Sequence, residues 1–185
     1  MNEINVLILS AGRRVELVQC FQKAARKLNI KSDIVAADCS DTAPALYFAD
    51  KIVKLPRITE PDYIRAIIEE CRKNNIALVV PTIDTDLLLL AENRKKIEEN
   101  TNAKVLISDL KVIDICRDKI KTQRFLEENN FGIPKLYTDE EIENNRVNYP
   151  LFIKPKSGSS SINAYKVNNR KELDLYRSII NEPIV

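Results

Sequence analysis

The sequence predicts an α/β protein in two parts: a parallel sheet covered by helices over residues 1–110, then a smaller α+β unit over residues 111–185. Three observations carry this expectation. Short apolar runs alternate with amphipathic stretches of about 10–15 residues through the first part, the pattern of repeated strand–helix–strand units. Beyond residue 110 that alternation stops, and short helices lead into two apolar runs separated by a serine-rich loop. The composition, 44% hydrophobic and 30% charged, lies close to the soluble globular average of about 45–50% and about 25%.

The elements follow in order. Val6, Leu7, Ile8 and Leu9 form a continuous apolar run ending at Ser10-Ala11-Gly12, as expected of a strand buried on both faces. Over residues 13–28, Val15, Val18, Phe21, Ala25 and Leu28 fall at helical spacing. Residues 33–37 form the next strand, closing at Asp38, and residues 39–50, which include Pro44, read as a loop. Lys51-Ile52-Val53-Lys54 is a third strand. Thr59-Glu60-Pro61-Asp62 supplies capping oxygens and a proline at a helix start, and Tyr63, Ile64, Ile67, Ile68 and Cys71 supply that helix's apolar stripe. Residues 77–80 form a strand stopped by Pro81. Asp84 and Asp86 open a helix to about Glu99, and residues 104–107 form a fifth strand. Right-handed crossovers put the strand ends at Gly12, Asp38 and residues 81–84 along one edge, where open α/β sheets bind ligands.

In the second part, residues 109–117 and 118–130 read as two short helices. Phe131-Gly132-Ile133-Pro134 stops the second, since proline cannot continue a helix. Thr138 and Glu141 have capping-box spacing for another short helix. Residues 151–154 and 162–167 then read as antiparallel strands across the loop Ser157-Gly158-Ser159-Ser160-Ser161. Residues 169–180 form a last helix, and residues 183–185 begin a strand.

Composition narrows the function. Histidine is absent, which removes Ser-His-Asp and Cys-His nucleophiles, histidine acid–base chemistry and histidine zinc sites. The 29 Lys+Arg against 27 Asp+Glu give a net charge of +2, with no basic excess of the kind a nucleic-acid surface needs. Any bound anion is therefore small and held locally. Cys20, Cys39, Cys71 and Cys116 are far apart and form no C-x-x-C pair, so they are expected to be reduced, buried thiols. No apolar run approaches the ~18 residues of a membrane span. The first residues lack a basic leader and a cleavage site, so a cytoplasmic protein without a signal peptide is expected.

Four segments can carry chemistry. Lys154, on a strand, precedes the hydroxyl-rich loop of Ser157, Gly158, Ser159, Ser160 and Ser161. Loop N–H groups and hydroxyls donate to phosphate oxygens while the ammonium neutralises them; the same residues also suit a plain surface hairpin. Lys119 opens a helix, a position where cations are disfavoured unless they serve a ligand; it can equally be a solvated lysine paired with Asp118 or Glu127. Ser10-Ala11-Gly12-Arg13-Arg14 at a strand-to-helix turn suits a small anion or a carboxylate, with Arg13 or Arg14 as the fork, or simply a tight turn with solvated arginines. Asp38 can bind a hydroxyl or cap its strand end. Asp84 and Asp86 can face an amine or Mg2+, or cap their helix. Only one glycine of G-x-G-x-x-G is present, so a bound dinucleotide is not expected.

Taken together, Asp118-Lys119, Phe125-Leu126, Gly132-Ile133-Pro134, Pro150-Leu151-Phe152-Ile153-Lys154-Pro155 and the serine loop resemble the ATP-grasp superfamily. They are similar in particular to carboxylate–amine ligases of the carbamoyl-phosphate synthase large-subunit kind. The preceding unit, with Gly12-Arg13-Arg14, Asp38 and Pro81-Thr82-Ile83-Asp84, resembles that family's Rossmann-like pre-ATP-grasp domain, so the resemblance covers nearly the whole chain.

The resemblance implies that Lys119 and Lys154 contact ATP, that Ser157, Gly158, Ser159, Ser160 and Ser161 fold over its phosphates, and that Gly12, Arg13, Arg14, Asp38, Thr82 and Asp84 face the substrate. It implies small-molecule carboxylate and amine substrates joined through an acyl phosphate, with no nucleic-acid or membrane partner. It further implies that the Mg2+ ligands lie in a lobe beyond Val185, so that this chain alone is the inactive, ATP-binding N-terminal part of such a ligase. The loop departs from the family in having a single glycine, with Asn163 where glycine is common, which implies stiffer closure. Apolar surface around Ile179, Ile180 and Ile184 is expected to favour a homodimer. The alternative function is a non-catalytic α/β module that binds a small metabolite or a partner.

Overall fold

A computed structural model of the chain describes residues 3–185, which fall into two compact units, one ending at Leu110 and the other Lys111–Val185. The first unit contains five parallel strands: β1 (Asn5–Ile8), β2 (Ile34–Asp38), β3 (Lys51–Lys54), β4 (Ile76–Val80) and β5 (Lys104–Val105), in spatial order β3-β2-β1-β4-β5. Helices α1 (Val15–Lys27), α2 (Tyr63–Lys73) and α3 (Asp84–Asn100) connect them. Side chains alternate across β1, so its apolar run feeds two cores. Leu7 and Leu9 join Val35, Val79, Ile67 and Leu90, beneath α2 and α3. Val6 and Ile8 face the opposite way and join Ala36, Val18 and Leu46. Each large aliphatic side chain buried in this way stabilises the fold by about 1.5–3 kcal/mol.

Strand order reverses between β1 and β4, so the connections leaving these neighbours diverge and open a crevice beyond their carboxyl ends. Two backbone bonds extend the ladder past the strands into that region: Leu9 N–H to Val80 O at 2.9 Å and Ala11 N–H to Ala37 O at 3.0 Å.

Three boundaries differ from the sequence expectation. Within the segment read as a loop, Pro44–Phe48 form a 3-10 helix, because Ala45 and Leu46 bury against the second core and Ala45 N–H donates to Gly12 O at 3.0 Å. The fifth strand stops at Val105, whose carbonyl turns back to accept from Ile107 N–H. Helix α1 begins at Val15, with Arg14 as an N-cap that makes no side-chain cap bond.

The second unit contains α4 (Leu110–Arg117, its first residue belonging to the first unit), α5 (Lys119–Glu128), α6 (Asp139–Glu143), β6 (Leu151–Pro155), β7 (Tyr165–Val167), α7 (Arg170–Ile179) and β8 (Pro183–Ile184). The sheet is antiparallel, with β6 between β7 and β8. Leu151 and Ile153 point into a core with Ile142, Val167, Leu173 and Ile180, while the alternate residue Phe152 is exposed. The Thr138–Glu141 capping box forms as its spacing predicts. Asp118 and Asn169 cap α5 and α7.

The strand expected over residues 162–167 is shorter, because Ser160, Ser161 and Asn163 adopt positive φ and turn the chain before it pairs. Of the three isoleucines expected to form an apolar surface, Ile179 is exposed, but Ile180 is buried in the core and Ile184 is half-buried. The exposed patch is therefore smaller than the sequence suggested.

Candidate functional site

At the carboxyl edge of the first unit's sheet lies a cavity of about 380 Å³, bordered by Ser10, Gly12, Arg14, Asp38 and Tyr63 and walled by Leu55, Pro56, Ile58 and Ile83. Gly12 sits at φ +50°, and an added Cβ would come 3.3 Å from the Arg14 guanidinium, so this turn favours glycine. Asp38 is occupied by the backbone: one oxygen accepts from Gly12 N–H at 2.8 Å and the other from Ser40 N–H at 2.9 Å. Thr82 donates its hydroxyl to the carbonyls of Leu9 and Ser10, at 3.0 and 2.6 Å. Arg14 in turn donates to Thr82 O at 2.9 Å.

The structure thus brings Gly12, Arg14 and Asp38 to one cavity, with Thr82 bracing its rim. Arg13 is exposed and Asp84 is exposed on the first turn of α3; neither borders the cavity. Of the two roles open to Asp84 and Asp86, capping α3 is met only in charge: both lie in its first turn, but neither makes a side-chain cap bond. The N-cap is Ile83, and Asp86 is wholly buried. Asp86 instead accepts from Ser10 Oγ at 2.8 Å and from Tyr63 OH at 3.0 Å. Burial pushes its carboxyl above the usual range and outweighs the two hydroxyl donors, while Asp38 adds to the rise. A carboxylate at helical spacing in an acidic first turn gave no sign of this inward orientation.

The second unit has its own cavity, of about 550 Å³. Lys119 and Lys154 both line it, with Leu126, Ile133, Leu136 and Phe152 forming apolar walls. Lys119 is placed by the α5 cap: Asp118 accepts from the N–H groups of Ile120 and Lys121, at 2.8 and 3.1 Å. The Lys119 N–H donates to Lys156 O at 3.1 Å, and its ammonium lies 3.4 Å from the carbonyls of Lys156 and Gly158. Burial, then the Lys154 and Arg117 charges, hold the Lys119 ammonium below its ordinary pKa. Two cations crowded at a partly dry cavity favour an anion that bridges them.

Lys156, which sequence reading left aside, forms ion pairs with Asp118 at 3.3 Å and Glu182 at 3.7 Å, joining the start of α5 to the chain beside β8. Gly158 reaches the Lys119 ammonium through its carbonyl, whereas Ser157, Ser159, Ser160 and Ser161 do not line the cavity. Three of the four cysteines, Cys20, Cys39 and Cys116, are exposed, against the expectation of burial; only Cys71 is enclosed. Among the described residues no group of three or more cysteine or acidic side chains is placed to hold a metal ion. No helix among the described residues is long and apolar enough to cross a membrane.

Residues 6–106 match the family model for the PylC-like N-terminal domain. The chain belongs to the PylC-like family. Residues 116–185 of this family member match an ATP-grasp domain, so the ATP-grasp resemblance holds at the level of these two domains, without being specific to carbamoyl-phosphate synthase. No curated protein matches in sequence. Solved structures share the fold. An L-amino acid ligase from Bacillus licheniformis has a TM-score of 0.68 at 19% identity, covering 98% of this chain and 43% of that one. N5-carboxyaminoimidazole ribonucleotide synthetase from Thermotoga maritima gives 0.67 at 18% identity, covering 98% and 45%. The biotin carboxylase domain of 2-oxoglutarate carboxylase from Hydrogenobacter thermophilus, in complex with MgADP, ADP and bicarbonate, gives 0.68 at 17% identity, covering 96% and 40%. This PylC-like chain spans under half the length of each of these structures.

Proposed function

We propose that the second unit binds ATP between Lys119 and Lys154, as the nucleotide-binding part of an ATP-dependent carboxylate–amine ligase. The observation that carries the reading is the shared cavity: two ammonium groups distant in sequence border one space of about 550 Å³ with apolar walls. The ammoniums suit the triphosphate and the walls suit a base and sugar. The solved structures named above include a ligase and a protein crystallised with ADP, which supports the same reading.

In such a ligase a carboxylate oxygen attacks the γ-phosphorus, the bond to the bridging oxygen breaks and ADP departs with the electron pair. An amine then attacks the acyl carbon, phosphate leaves with the pair from the C–O bond, and the amine gives up a proton. The residues of this chain would neutralise charge on the transferring group: Lys119 and Lys154 through their ammoniums, and the loop of Ser157, Gly158, Ser159, Ser160 and Ser161 through N–H and hydroxyl donors once it turns inward. The cavity at the edge of the parallel sheet would receive a small substrate beside Gly12, Arg14 and Asp38. The reading places the protein in the cytoplasm, where thiols stay reduced.

Calorimetric titration with ATP tests this. The full 185-residue chain is expected to bind the nucleotide, and Lys119→Ala and Lys154→Ala are each expected to weaken it by about tenfold, the worth of one charge-assisted contact. Unchanged affinity in both variants would refute the assignment.

A further inference from the structure

We infer that Arg57, which sequence reading passed over, is the specificity-determining residue of the first unit's cavity, selecting a ligand that carries an oxyanion on an aliphatic body. The inference rests on the reading that this cavity takes the small substrate. Its basis is the disposition of the polar groups around the space. Asp38 spends both oxygens on backbone N–H groups, and Asp86 spends both on the hydroxyls of Ser10 and Tyr63. Arg14 is tied to the Thr82 carbonyl. Arg57 also borders the cavity, yet among the described residues its guanidinium makes no hydrogen bond or ion pair. The Thr59 hydroxyl and the Cys39 thiol border the same space, but Arg57 is its wholly free charged donor, and a guanidinium fork matches carboxylate or phosphate geometry.

Its backbone is fixed although its side chain is free. Leu55 is buried in the core and its N–H donates to Asp38 O at 3.0 Å, Ile58 packs against the same core, and the Arg57 carbonyl accepts from Glu60 N–H at 2.8 Å. With its backbone fixed and its side chain exposed and unpaired, Arg57 is free to turn its fork onto a ligand and is not a structural tie. The remaining wall is aliphatic, from Leu55, Pro56, Ile58 and Ile83. An anion with an apolar body satisfies both surfaces: the two guanidiniums outnumber the Asp38 carboxylate, which backbone N–H groups already hold, so an amine is disfavoured, and a neutral polar ligand would leave the free fork unanswered.

The test is an NMR chemical-shift titration of the full chain with hexanoate, hexyl phosphate and hexanamide, following the backbone amides of Gly12, Ile58 and Thr59. At least one of the two anions is expected to shift these amides, with hexanamide weaker by about tenfold or more. Arg57→Gln is expected to erase that preference, and Arg57→Lys to retain part of it. The tighter of the two anions identifies carboxylate or phosphate as the ligand group. Absence of binding by either anion, equal binding of the amide, or an unaltered anion preference in Arg57→Gln would overturn the inference. ATP titration of Lys119→Ala in parallel separates this from the nucleotide reading, because those residues belong to the other unit: lost ATP binding with intact hexanoate binding implicates one cavity alone.

Discussion

The Tyr63 hydroxyl donates to Oδ1 of Asp86 at 3.0 Å, inside a core where Tyr63 is 3% exposed and Asp86 is fully enclosed. Tyr63→Phe keeps the ring and removes only the donor, leaving one carboxylate oxygen buried without a partner. Such an oxygen costs about 1–3 kcal/mol. Denaturant unfolding of the variant should show a loss of that size with an unchanged slope.

Asp86 also predicts a pH dependence. Burial raises its carboxyl in the folded state above the ordinary value of 3.8, so between those two values the folded chain holds a proton that the unfolded chain has released. Stability is therefore lost as pH rises from the ordinary carboxylate range through the raised value, and is level beyond it. Asp86→Asn removes this titration. Unfolding midpoints measured from about pH 4 upward should fall less steeply in the variant than in the parent; parallel curves would refute the assignment.

Much of the fold was legible because it follows from short-range rules. The apolar run at Val6 to Leu9 can only be buried on both faces, and the Thr138–Glu141 spacing fixes its own cap. What escaped depended on tertiary partners. Pro44–Phe48 became helical because a core accepted Ala45 and Leu46, and Asp86 turned inward because Ser10 and Tyr63 arrived to meet it. Lys119 and Lys154 were legible as a pair through motif order, whereas Arg57 lies in a turn with no periodicity or motif to mark it.

Asp118 links a helix cap to an ion pair, accepting from the N–H groups of Ile120 and Lys121 and lying 3.3 Å from Lys156 Nζ. Burial would raise its carboxyl, but these donors together outweigh it and hold the carboxyl below the usual range. The stability it contributes is present above the ordinary carboxylate pKa and lost as pH falls through the lowered one. Asp118→Ala should cost about 1 kcal/mol at neutral pH from the cap alone, and Asp118→Asn should restore most of that, since asparagine caps equally well. Urea titration of the three proteins checks the order.

Lys154 should have opposite effects on stability and on binding. Its charge helps to hold the Lys119 ammonium below its normal pKa, after burial, so with no anion between them the two lysines repel at the cavity. Lys154→Met keeps a long, unbranched apolar stem and removes the ammonium. Without nucleotide, the variant should unfold at slightly higher denaturant, by up to about 1 kcal/mol, the scale of a partly screened charge pair. With saturating ATP the order should reverse, because the parent gains more from linked binding than the variant does. Thermal unfolding of both proteins with and without ATP reads the crossover. A variant destabilised in both conditions would show Lys154 to be a structural residue, and one unaffected in both would show that the two charges do not share a ligand.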